Sequence, residues 1–231
     1  MLLASIVMVF IACSARIDGV VREGGAGDLT LKASLAPRTS ALIRSLRSFM
    51  GDDSNMPVLD GKAIGQSMAV MPGMKAVALS NTSPEALEGS IVVANLGDFL
   101  ASGNTKGRLV TYAEKKESGA SSITITLDRS SIPEFVKRLS PEVEDYLSAL
   151  MVPVILGETM SAKEYLDLVA SVYGRPLADE IAAAQIHSYI EFPRPVTFVR
   201  GGNAAGKQAQ FDIPLLDIFV LEQPLSYQVN W

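Results

Sequence analysis

Apolar and polar residues alternate at both ends of this chain, so strands far apart in sequence must be brought into sheets. Residues 15–23 (ARIDGVVRE) and 28–35 (DLTLKASL) alternate on either side of Gly24-Gly25-Ala26-Gly27. Two alternating runs joined by residues free to adopt positive φ predict a β-hairpin. The same period returns near the other end, at 186–192, 196–200, 208–213 and 225–231. Further strands are expected at 75–80, 89–95, 108–114 and 122–128.

Between these runs the period lengthens to that of a helix. After Pro37, residues Leu42, Ile43, Leu46, Phe49 and Met50 share one face, with Arg44 and Arg47 opposite, where they could touch anionic lipid headgroups. A second helix is expected at 59–71, closed by Pro72-Gly73, and Ser83-Pro84-Glu85 reads as an N-cap with Pro at N1 opening a single helical turn. Ser131 with Glu134, and Ser161 with Glu164, match the capping box, and Ser140-Pro141 is a third start signal. Helices follow at 132–139, 141–151, 161–173 and 177–185, with Gly174 ending the third. Strands, helices, strands, helices, strands, with the first and last strands far apart, define an α+β fold: a mostly antiparallel sheet with helices packed on one face.

The stretch MLLASIVMVFIACS (1–14) sets the expected location. Its apolar run of eleven residues, 2–12, ends at Cys13, the only cysteine in the sequence. That is short of the roughly 20 residues a membrane span needs and within the roughly 7–15 of a signal-peptide core. Phe10-Ile11-Ala12-Cys13 resembles a lipobox, and polarity begins at once with Ser14, Arg16 and Asp18. The expectation is a signal peptide over 1–12 and a single lipoprotein domain over 13–231. Cys13 is then the lipidated residue, holding the domain on a cell membrane or outer membrane and facing the periplasm or cell surface. Acyl chains contribute about 0.8 kcal/mol per buried methylene, so two or more give stable anchoring.

Chemistry is narrowed mostly by elimination. A hydrophobic content of 48% and 19% charged residues describe a cored globular chain. Net charge is −5 without a basic cluster, which argues against nucleic acid as a partner. His187 is the only histidine, which disfavours His-pair metal sites and Ser-His-Asp catalysis. It is read as a strand residue facing solvent or the sheet rim. Gly201 to Gln208 satisfies G-x-x-x-x-G-K but has Gln208 where a P-loop needs Ser or Thr, and a strand follows instead of a helix. It reads as a hairpin loop. Glu142, Glu144 and Asp145 suit the first turn of a helix, and Asp52, Asp53 and Asn55 suit a solvated turn. No cofactor and no catalytic residue is expected.

The apolar run 149–156 breaks at Pro153. Buried core is the default reading. As a hydrophobic ligand site or interface, its residues are Leu150, Met151, Val152, Val154, Ile155 and Leu156. Met68, Met71, Met74, Met151 and Met160 would suit a lipid-lined cavity or an ordinary core.

The segments APRTSALIRSL (36–46), SPEVEDYLSALMVPV (140–154), EYLDLVASVYG (164–174) and FDIPLLDIFVLEQPLSYQVNW (211–231) resemble an uncharacterised family of spirochaetal lipoproteins. Phe192-Pro193-Arg194-Pro195-Val196, then Gly201-Gly202, then 209–213, together with Cys13 and the first hairpin, resemble the LppM-type lipoprotein domain more weakly. The resemblance implies a membrane-tethered α+β domain with affinity for lipids. The expected function is a non-enzymatic envelope lipoprotein binding a lipid or other hydrophobic ligand between sheet and helices. The alternative is a structural or protein-interaction lipoprotein that holds envelope proteins at the membrane.

Overall fold

The computed structural model describes residues 14–50, 57–102, 110–114, 120–130 and 156–231. Cys13, residues 131–155 and the acidic turn at 52–55 lie outside the described residues, and with them the expected helices at 132–139 and 141–151.

The first hairpin forms as expected. Strand β1 (Ser14–Val21) pairs antiparallel with β2 (Gly27–Ser34), in register from Ser14↔Ser34 to Val21↔Gly27 across a 3-10 turn at Glu23–Gly25. Helix α1 (Pro37–Met50) follows. Helix α2 (Gly61–Ala69) is shorter than expected, because Asp60 caps it by accepting from the Ala63 amide at 2.9 Å. Strands β3 (Met74–Ser83) and β4 (Ala86–Val93) are longer than expected and meet at a two-residue turn. The helical turn expected at Ser83-Pro84-Glu85 is therefore not there. Ser83 Oγ accepts from the Glu85 amide at 3.2 Å, a turn contact that uses the same hydroxyl as an N-cap would.

Helix α3 (Leu96–Ser102), strand β5 (Val110–Glu114) and strand β6 (Ser121–Leu127) come next. Helices α4 (Ala162–Tyr173) and α5 (Arg175–Ala183) meet at Gly174, and α4 opens on the expected capping box: Ser161 accepts from the Glu164 amide and Glu164 from the Ser161 amide. The chain ends with β7 (Gln185–Glu191), β8 (Phe198–Arg200), β9 (Asn203–Ala205), β10 (Gln208–Pro214), helix α6 (Leu215–Val220) and β11 (Leu225–Asn230).

The fold is α+β, with the strands in two sheets instead of one. Seven strands run in the order β3-β4-β2-β1-β7-β10-β9, and four in the order β5-β6-β11-β8. Pairing is antiparallel apart from β1 beside β7, which is parallel, so the first strand lies next to a strand near the other end of the chain. The last strand, β11, sits in the smaller sheet.

One face of the seven-stranded sheet carries the core. Ala15, Leu31, Leu87, Ile91 and Ile186 are buried there, in one cluster with Ile43, Met68, Phe99, Val169, Ile181 and Phe219 from the helices. Met68 is fully buried and Met71 nearly so, which makes them core residues. At the other end of this face Val229 of the smaller sheet, with Trp231 just beyond β11, packs in a second cluster with Val21, Phe192 and Ala209. There the Phe192 and Trp231 rings stack with centroids 4.4 Å apart, a contact worth about 0.5–1.5 kcal/mol beyond burial.

Two glycines shape the path from the smaller sheet into the edge of the larger one. A Cβ on Gly202 would lie 2.3 Å from the Gln210 carbonyl oxygen and 2.6 Å from the Phe211 ring, so only glycine fits where the chain leaves β8 and enters β9. Gly206, at φ 59°, then opens the two-residue turn of the β9–β10 hairpin. The Gly201–Gln208 loop is thus a corner, a short strand and a hairpin turn.

Candidate functional site

The opposite face of the seven-stranded sheet is where the described residues gather polar groups. Because side chains alternate along a strand, the pairing registers place them in rows. One row runs Glu88, Lys32, Arg16, His187, Asp212. The next runs Ser90, Thr30, Asp18, Tyr189, Gln210, Asn203, and the third Val92, Asp28, Val20, Glu191, Gln208, Ala205.

The second and third rows, with Arg16 of the first, line an open trough of about 660 Å³. Ligand sites usually span about 300–1,000 Å³. Val20, Val92 and Ala205 supply carbon surface, while Asp18, Asp28, Glu191, Asn203, Gln208 and Gln210 supply polar groups. Val20 is 41% exposed, unusual for a valine on a central strand.

The first row borders the trough as a belt of paired charges. Arg16 Nε donates to Asp18 Oδ2 at 2.7 Å, and its guanidinium lies 4.5 Å from the centre of the Tyr189 ring. Lys32 faces Glu88 at 3.3 Å. His187 Nδ1 lies 2.6 Å from Asp212 Oδ1, and Gln210 Nε2 donates to Asp212 Oδ2 at 2.8 Å. The hydrogen bond to His187, aided by Gln210, holds the Asp212 carboxyl below its ordinary value. Pairs this exposed contribute about 0–1 kcal/mol each. His187 thus faces solvent, as its place in an alternating strand implied.

Of the lipid-contact and hydrophobic-site residues expected from sequence, those described, Arg44, Arg47 and Leu156, do not line this trough. Cys13 and Leu150, Met151, Val152, Val154 and Ile155 lie outside the described residues. Leu156 is described and 65% exposed, so it lines no buried cavity. Arg44 and Arg47 are held by the chain itself: Arg44 pairs with Glu85, and Arg47 donates to the Pro57 carbonyl at 2.9 Å. The trough was missed because its residues come from strands β1, β2, β4, β7, β9 and β10, and only pairing makes them neighbours. The alternation could have named the outward set in each strand, but not the row in which it meets the next.

No helix among the described residues is long and apolar enough to cross a membrane, and no cluster of His, Cys, Asp or Glu among them is arranged to hold a metal ion.

No protein-family model matches the chain, and no curated protein matches it. Among solved structures it is similar to the NMR structure of the folded domain of the Mycobacterium tuberculosis protein LppM. That match has 12% identity, covers 94% of this chain and 87% of that one, and has a TM-score of 0.43.

Proposed function

We propose that this protein is an envelope lipoprotein, anchored through acylated Cys13, that binds an amphiphilic lipid-like ligand in the open trough and catalyses no reaction. The trough carries the reading. It has the volume of a ligand site and places carbon from Val20, Val92 and Ala205 beside the polar side chains of Asp28, Glu191 and Gln208. This moves the ligand from the interval between sheet and helices, which the core cluster occupies, to the uncovered face. His187 is engaged by Asp212 and acts in orientation.

Native mass spectrometry of the full chain released from detergent tests the reading. A co-purifying lipid should be seen with the native protein and lost with Thr30→Trp, whose indole would fill the trough from an exposed floor position. No bound lipid in the native protein, or one retained undiminished in Thr30→Trp, would refute it.

The structural or protein-interaction reading has its own support in α4. Leu168, Val172 and Tyr173 are exposed on that helix, and Val172 is 61% accessible. Under that reading, cross-linking in cells should trap a partner through α4, and Val172→Asp should abolish the cross-link.

A further inference from the structure

We infer that the end of the seven-stranded sheet that carries Ser14 lies directly against the bilayer, so that the sheet stands on its anchor. The inference rests on acylation of Cys13, and it adds which surface meets the membrane. Cys13 is bonded to Ser14, and neighbouring Cα atoms are about 3.8 Å apart. Ser14 is already in register with Ser34 on one side and Gln185 on the other. The strand therefore begins one residue after the anchor, with no intervening linker to let the domain tumble away from the surface.

The registers settle what else sits at that end. The β3–β4 turn at Pro84-Glu85 follows Ser83, which pairs with Ala86 beside Ser34. Helix α1 begins just after β2 ends, α5 finishes just before β7 begins, and α6 begins where β10 ends. The first turn of α1 carries Arg38, whose amide is capped by the Glu180 carboxylate and whose exposed side chain makes no ion pair among the described residues. A cation in a first turn opposes the helix dipole, which the Glu180 carboxylate at the amides of Arg38 and Thr39 offsets. At this end of the molecule the cation has anionic lipid headgroups to face.

The turns at Glu23–Gly25 and Gly206-Lys207 are at the opposite end. The trough floor at Asp18 and Val20 lies four to six residues along β1, roughly 13–20 Å from the anchored end at about 3.3 Å per residue. The belt of Lys32, Arg16, His187 and Asp212 stands between the bilayer and the trough. A lipid drawn from the membrane would have to pass its headgroup across those charges.

The test uses the acylated full chain in vesicles of phosphatidylethanolamine and phosphatidylglycerol containing a headgroup-nitroxide lipid. Because Cys13 is the only cysteine and is blocked by its acyl chain, one introduced cysteine is the sole free thiol for a fluorophore. Emission should fall for labels at Ser34→Cys and Ala183→Cys, and stay unchanged for labels at Glu23→Cys and Lys207→Cys. Equal losses at both ends, or the reverse order, overturn the orientation. The mass of the peptide bearing Cys13, read on the same samples, separates the two failures. An unmodified Cys13 overturns the anchor and the orientation with it; an acylated Cys13 with equal losses overturns the orientation alone.

Discussion

Arg129, just past the end of β6, holds together three pieces of chain that are distant in sequence. Its Nε donates to the Leu221 carbonyl at 2.9 Å, one terminal nitrogen to Val220 at 3.1 Å and the other to Glu158 at 2.5 Å. The first two satisfy carbonyls at the C-terminus of α6, where a cation also suits the dipole. Lysine keeps the charge but lacks the planar fork. Arg129→Lys should therefore cost about 2 kcal/mol, from lost charge-assisted hydrogen bonds, read as a lower urea midpoint with unchanged slope. Asp217 is the opposite case. Burial, helped by the nearby Glu222 charge, pushes its carboxyl above the ordinary value. An acid raised in this way binds its proton more tightly in the folded state. Its stability contribution is present below the unfolded value of about 3.9 and is lost as pH rises through the folded one. Asp217→Asn should match the native protein in acid and become the more stable of the two at neutral pH, in urea titrations at both.

At the scale of elements, helix starts show what was legible. The Ser161–Glu164 capping box is written within four residues and forms as read. Helix α1 has no such signal, since Ala36 precedes Pro37 and its first turn holds no acidic residue. Its cap comes from α5: Glu180 accepts from the Arg38 amide at 3.0 Å and from the Thr39 amide at 2.9 Å. Thr39 is buried, so Glu180→Ala should strand an amide and cost about 1–2 kcal/mol in chemical denaturation. Glu180→Gln, which keeps an acceptor, should lose less. Ser83-Pro84-Glu85 shows the converse. Those residues suit an N-cap and a tight turn equally, and the pairing of β3 with β4 selects the turn. Helix α6 is not legible in sequence, because a run as short as 215–220 holds too little of a 3.6-residue period to be told from a strand.

For the molecule as a whole, the proposed anchor dominates behaviour. Under that proposal, Cys13→Ala should shift the protein from the detergent phase to the aqueous phase of a detergent partition. Retention in the detergent phase would refute the anchor.

What the sequence determined by itself is local: which stretches alternate, where glycines and caps end them, and that an α+β arrangement must result. Those signals act over a few residues, because a hydroxyl, a proline ring or a missing Cβ constrains its own backbone. Only the tertiary structure decided that the strands divide into two sheets, that β7 lies parallel beside β1, that Glu180 and Arg129 complete distant helix ends, and that one sheet face stays open over a trough. Each of these depends on contacts between residues far apart in sequence. Alternation states which way a side chain points but not which strand will lie beside it.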